Sequence, residues 1–145
     1  MKASENAYAL IKKYEGLRLK SYQDTGGKWT VGWGHTHNAC PGKTITLREA
    51  EMFFKWDIDD TKTHLDDVIK KYNLSFNQNQ YDALISFIFN IGIGQFKRST
   101  LLKLIREDVN HPDIIRQFKR WKYDAGVVQP GLVKRRAIES ALYVS

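Results

Sequence analysis

Between Ala83 and Ile91 seven of nine side chains are apolar, and only Ser86 and Asn90 interrupt the run. Wound into a helix, this segment is apolar nearly all round, and such a helix belongs in a core rather than on a surface. Ser75-Phe76-Asn77-Gln78 just upstream matches a capping box, so a helix is predicted to open there and run to about Ile91. The wider apolar stretch, Ala83 to Gly94, falls far short of the roughly 18–20 residues needed to cross a bilayer. The segment must therefore be covered by the rest of its own chain, as the buried central helix of a helical lobe.

The covering elements are legible on either side. Ala7, Leu10, Ile11 and Tyr14 fall at i, i+3, i+4 and i+7, which predicts a helix from about Glu5 to Glu15, with Ser4 as N-cap and Gly16 as its stop. From Leu17 the period shortens to alternation with Arg18 and Lys20, and Asp24-Thr25-Gly26-Gly27 is a turn signal ahead of β-prone Trp29–Gly34. This predicts a small antiparallel hairpin with a third strand beside it, too small to be stable unless packed on helices. Thr46-Leu47-Arg48-Glu49 is a capping box opening one long helix or two, through Tyr72. Ser99 is expected to cap a helix through Arg106, Pro112 to occupy the first turn of a helix to Trp121, and a last helix to span about Leu132–Tyr143. The fold class is α+β.

Composition closes off several classes. The chain has 145 residues, of which 42% are hydrophobic and 27% charged, enough for one folding unit of ordinary core size. A single cysteine, Cys40, excludes an intrachain disulfide framework. Met1–Leu10 carries Glu5 and Asn6 and lacks the apolar segment of a signal peptide, so an integral membrane segment is not expected. The net charge of +7 points to an anionic partner: nucleic acid, a membrane surface or an acidic polymer.

Chemistry is concentrated between residues 15 and 35. Glu15 is expected at a helix C-terminus, where the negative end of the macrodipole disfavours the ionised carboxylate and favours the proton a general acid needs. Asp24 follows nine residues later in a wet, glycine-rich turn that keeps a carboxylate solvated and ionised, and Thr30 lies six residues further on, on the strand returning from that turn. Two carboxyls in contrasting surroundings suit glycosidic-bond hydrolysis. Spacing alone leaves the plainer alternatives open, a solvated glutamate at a helix end and an aspartate bonding its own turn.

Glu15-Gly16-Leu17-Arg18-Leu19-Lys20, then Tyr22-x-Asp24-Thr25-x-Gly27-x-x-Thr30-x-Gly32-x-Gly34-His35, closely resembles the phage-type lysozymes, or endolysins, of glycoside hydrolase family 24. The resemblance continues through Asn79–Leu84, Phe89–Gly92, Ser99–Leu102 and Gly131–Arg136 with Glu139, and covers residues 8 to 143 approximately. It implies a single lysozyme-like catalytic domain over residues 1–145, with a small β lobe at about 16–45 and a helical lobe at about 46–145 plus the N-terminal helix. It also implies hydrolysis of the β-1,4 bond between N-acetylmuramic acid and N-acetylglucosamine in peptidoglycan, with inversion and without a cofactor or metal. Glu15 would protonate the leaving oxygen, Asp24 would stabilise positive charge on the sugar or help activate a water, and Thr30 would hold that water. Phe89, Asn90 and Ser99 would line the sugar cleft.

The remaining residues have bland readings beside the sharp ones. His35 is expected to pair with a carboxylate such as Asp59 or Asp60, and His35-x-His37 with Cys40 reads as chance rather than as metal ligands. Phe96 and Trp121 are expected in the core, Phe89 either in the core or on the cleft, and Trp33 in packing of the sheet onto a helix. One of Arg135 and Arg136 is expected beside Glu15. The Lys134-Arg135-Arg136 cluster motivates a rival reading as a nucleic-acid-binding domain, but that would leave Glu15, Asp24 and Thr30 without a purpose. A second rival is a cell-wall-binding lysozyme homologue without catalysis, and a third a lyase leaving an anhydro sugar. The family resemblance further implies a monomer that accumulates in the host cytoplasm and reaches the wall through a separate membrane-permeabilising protein.

Overall fold

The computed structural model describes residues 1–145, with seven helices and two small antiparallel sheets. Helix α1 (Glu5–Glu15) buries Ala7, Leu10 and Ile11 and stops at Gly16, whose φ of 69° ends the helical path. Ser4 stands at its N-cap, yet its side chain makes no capping bond: the Ser4 hydroxyl donates to Asp82, and the Ser4 N–H donates to Asp82 Oδ1 at 2.9 Å. Asp82 is buried on α3 (Gln78–Ile91), so the start of α1 is tied to the central helix rather than closed on itself.

Strands β1 (Arg18–Gln23) and β2 (Trp29–Gly32) pair with Tyr22 opposite Thr30 and Gln23 opposite Trp29, and the register shifts between Tyr22 and Arg18. The expected third strand is a single bridge, Lys20 with Thr44, flanked by bonds from Ser21 N to Lys43 O and from Ile45 N to Leu19 O, each 2.8 Å.

Helix α2 (Leu47–Tyr72) is one helix of 26 residues, about 39 Å long, opened by the Thr46/Glu49 capping box. Its buried stripe of Ala50, Phe54, Ile58, Thr61, Leu65 and Val68 runs from the sheet to the helical lobe. At the sheet end Trp33 meets Phe54 edge-on at 5.6 Å, the packing role expected for Trp33.

Helix α3 is buried at every position from Gln80 to Ile88, and α1, α2 and α7 (Pro130–Val144) pack around it. Its cap is Asn77 with Gln80, two residues beyond the Ser75–Gln78 match: the Asn77 side chain accepts from Gln80 N at 2.8 Å, and Gln80 Oε1 accepts from Asn77 N at 2.9 Å. The remaining helices are α4 (Ile93–Lys97), α5 (Thr100–Glu107) and α6 (Ile114–Lys119). Pro112 lies ahead of the α6 cap, Asp113, instead of in its first turn, while Pro130 takes the first position of α7 and starts that helix two residues earlier than expected. A second hairpin, β3 (Tyr123–Asp124) with β4 (Val127–Val128), turns at Ala125-Gly126 with φ of 50° and 78°. Two-residue strands leave no alternation in the sequence to announce this hairpin.

A candidate active site between the first helix and the sheet

Glu15 is the last residue of α1, and the following glycine turns the chain away so that its carboxyl faces the sheet. Val31 and His35 exchange two backbone bonds of 2.9 Å, folding Gly32-Trp33-Gly34 into a tight turn. Gly34, at φ 71°, meets the acid there: a Cβ on it would lie 2.4 Å from Glu15 Oε1. On the other side Arg135 Nη1 donates to Glu15 Oε2 at 2.6 Å. The Glu15 side chain is 17% exposed and that of Arg135 only 2%.

Arg135 is thus the arginine expected beside Glu15. Its Nε donates to Glu139 Oε2 at 3.2 Å and its Nη2 to the Ser86 carbonyl at 2.9 Å. Arg136 is also fully buried: it donates to Glu139 Oε1, to Asn90 Oδ1, and through Nε to the Trp121 carbonyl at 3.0 Å. Glu139 further accepts from the Ser86 hydroxyl. Burial pulls the Arg136 guanidinium below its ordinary value, and Glu139 works against that by stabilising the charge.

Asp24 sits at the hairpin tip, exposed, and closes its own turn. Its Oδ1 accepts from Gly26 N at 2.9 Å and from Lys28 N at 2.8 Å, while its amide donates to Lys28 O at 2.9 Å. Thr30 on β2 is buried, and its hydroxyl donates to Lys28 O at 3.1 Å, keeping its lone pairs for another donor.

Tyr22, opposite Thr30, joins the two carboxyls electrostatically. Burial raises its phenol above the ordinary range, the charges of Glu15 and Asp24 raise it further, and Arg18, stacked 4.3 Å from the ring centre, opposes them. The sequence gives Tyr22 no role in the site, although its place two residues before Asp24 is the available signal.

The proposed sugar-contacting residues are placed differently from one another. Phe89 is half-buried, packs on Phe54 at 5.9 Å, and also lines a cavity of about 300 Å³ with Gly34, Thr36, Asp57, His64 and Ile93, so it serves core and cavity at once. Asn90 is exposed, its carbonyl taken by Arg136. Ser99 is buried: it accepts from Leu102 N at 3.0 Å as the α5 cap and donates to Phe96 O at 2.7 Å. Phe96 is fully buried, as expected, and Trp121 is half-buried against Phe87.

His35 pairs with Asp57, not with Asp59 or Asp60: Nδ1 lies 2.8 Å from Asp57 Oδ2, and the ring stacks on Phe53 at 4.4 Å. Asp57 is the α2 aspartate whose helical phase faces the Val31–His35 turn. Burial pushes its carboxyl up from the usual range, and the hydrogen bond and charge of His35 pull it down. Cys40 is exposed and free.

The arrangement gathers a sheltered carboxyl, a solvated carboxyl and a free hydroxyl lone pair around one hairpin. Residues 12–139 match the phage lysozyme family. The endolysin of Acyrthosiphon pisum secondary endosymbiont phage 1 is 43% identical, over 100% of this chain and 99% of that protein. The endolysin of Bacillus phage PZA is 39% identical over 100% of this chain, which spans 56% of that longer protein. Among solved structures, the muramidase domain of SpmX from Asticaccaulis excentricus superposes with a TM-score of 0.86 at 32% identity, covering 99% of this chain and 98% of that one. With the family match over most of its length and the fold shared end to end, the chain belongs to the phage lysozyme family.

Proposed function

We propose that this lysozyme hydrolyses the β-1,4 bond between N-acetylmuramic acid and N-acetylglucosamine in peptidoglycan, inverting the anomeric carbon. Glu15 gives its proton to the glycosidic oxygen as the bond to the anomeric carbon breaks. A water held at Thr30 Oγ1 attacks that carbon from the opposite face and passes its proton to Asp24. Asp24 meanwhile balances the positive charge developing on the sugar ring. Inversion requires room for the water, which calls for carboxyls about 6.5–9.5 Å apart rather than about 5 Å.

One observation carries this reading: the contrast between the two carboxyls. Glu15 is sheltered, held by one guanidinium and pressed on Gly34, while Asp24 is exposed with its Oδ2 uncommitted. Phe89, Asn90 and Ser99 complete the reading as the far wall of the cleft. Proton NMR of the first products, recorded before mutarotation, tests the stereochemistry. An α-anomer supports inversion, and a β-anomer excludes it.

The cellular part of the proposal follows the endolysin relatives. The enzyme works as a monomer, accumulates in the host cytoplasm, and meets the wall after a separate protein has permeabilised the membrane. No helix of the chain is long and apolar enough to cross a membrane.

A further inference from the structure

Glu139 lies outside the reacting groups, yet every charged contact behind Glu15 passes through it. It is 0% exposed, as is Arg136, and Arg135 is 2% exposed. Glu139 Oε2 takes Arg135, Glu139 Oε1 takes Arg136, and the Ser86 hydroxyl donates to it as well. Arg135 then reaches Glu15 with its Nη1, and Arg136 reaches the exposed Asn90 with its Nη2. Two guanidiniums and two carboxyl groups thus alternate in one chain that runs from the interior out to Glu15.

The alternation matters because a lone guanidinium against Glu15 works against its proposed role. An arginine within hydrogen-bond distance stabilises the ionised carboxylate, and a general acid must hold its proton near neutral pH. Arg135 does not act alone, since part of its charge is answered by Glu139. Without Glu139, two buried guanidiniums would have Glu15 as their one carboxylate in the chain.

We propose that Glu139 is a positioning residue for Glu15, acting through Arg135: it fixes the guanidinium on the acid and takes up part of its charge, so that Glu15 keeps its proton until the glycosidic oxygen receives it. The proposal rests on the reading of Glu15 as the general acid. Arg136 is the counterweight, drawing on Glu139 from the other side and linking it to Asn90 at the cleft. On the sheet side Tyr22 of β1 faces Glu15 and itself senses Arg18 on the same strand and Asp24 at the hairpin tip. They are untouched by changes on α7, so substitutions at Glu139 and Arg136 read this chain of contacts separately from the sheet.

The test is a pair of substitutions with opposite expected signs. Glu139→Gln keeps the shape and removes the negative charge, so more of the Arg135 charge bears on Glu15. The alkaline limb of the pH–rate profile should move down by about one pH unit, with activity recovering toward wild type at acid pH. Arg136→Gln removes a positive charge that Glu15 also senses directly and leaves Glu139 to Arg135, so the limb should move up. Carboxyl NMR titration of Glu15 in the same proteins is expected to move in the same two directions. Superimposable profiles, or losses equal at all pH values, overturn the proposal and leave Glu139 a purely structural residue. Should Glu139→Gln fail to fold, the double variant with Arg136→Gln decides: a limb below that of Arg136→Gln alone supports the proposal, and an equal limb overturns it. If Glu15→Gln is as active as wild type, the acid reading falls, while the NMR titration still reports whether Glu139 controls the proton on Glu15.

Discussion

A methyl group on Gly34 would sit 2.4 Å from Glu15 Oε1, at a backbone φ of 71° that side chains rarely adopt. Gly34→Ala should therefore push the carboxyl off its position and strain the turn together. Displacing a catalytic group by about 1 Å costs on the order of 100-fold in rate, and the strained backbone about 1–3 kcal/mol. Lytic assays beside thermal unfolding check this, and an Ala variant with wild-type activity would show that the close approach has no catalytic weight. At this scale the sequence was informative where the chemistry is local. Glu15, Asp24 and Thr30 stand out by type and spacing on consecutive elements. His35 finds its carboxylate at Asp57 and not at the expected Asp59 or Asp60: all three crowd one turn of α2, and only the docking of that helix on the sheet selects the phase that faces His35. Glu139 had no legible task, since its meaning depends on two arginines and a serine brought together from α3 and α7.

Helix α2 carries the Asp57–His35 contact that holds the sheet against the helical lobe, and its pH dependence has a sign opposite to that of most ion pairs. Burial raises Asp57 above its unfolded value, so the native state binds a proton more readily than the unfolded chain between those two values. Stability from this group is therefore fully present below its unfolded value and falls as pH rises through the raised one. Urea unfolding at about pH 3 to 7 should show a shallower decline in Asp57→Asn than in wild type. His35→Ala removes two lowering influences, so carboxyl NMR should find Asp57 titrating higher still; an unchanged or lower midpoint would contradict the account. Elements with long periodic patterns are legible in the sequence, above all α3 and α1. Their edges were less secure: Ser75 and Asn77 each precede a glutamine by three residues, and the structure uses the pair that leaves Phe76, just before the cap, buried. The β3–β4 hairpin and α4 are too short to impose any period.

Over the whole molecule the charge of +7 belongs to the surface, because the buried charged residues Asp82, Arg135, Arg136 and Glu139 sum to zero. A basic exterior is expected to draw the enzyme toward carboxylate- and phosphate-bearing envelope polymers, an attraction screened beyond about 10 Å at 0.1 M salt. Lysis of permeabilised cells should slow steadily as sodium chloride is raised, while the buried network is little affected. A rate independent of salt would remove long-range attraction from the account.

The central claim is that Glu15 supplies the proton that releases the sugar. It is tested most directly by hydrolysis of purified peptidoglycan with wild type and Glu15→Gln, both shown to be folded by circular dichroism. The account predicts a fall of about 10²–10⁴-fold for the variant, the contribution of a positioned general acid. A Glu15→Gln enzyme that cleaves at the wild-type rate would contradict it.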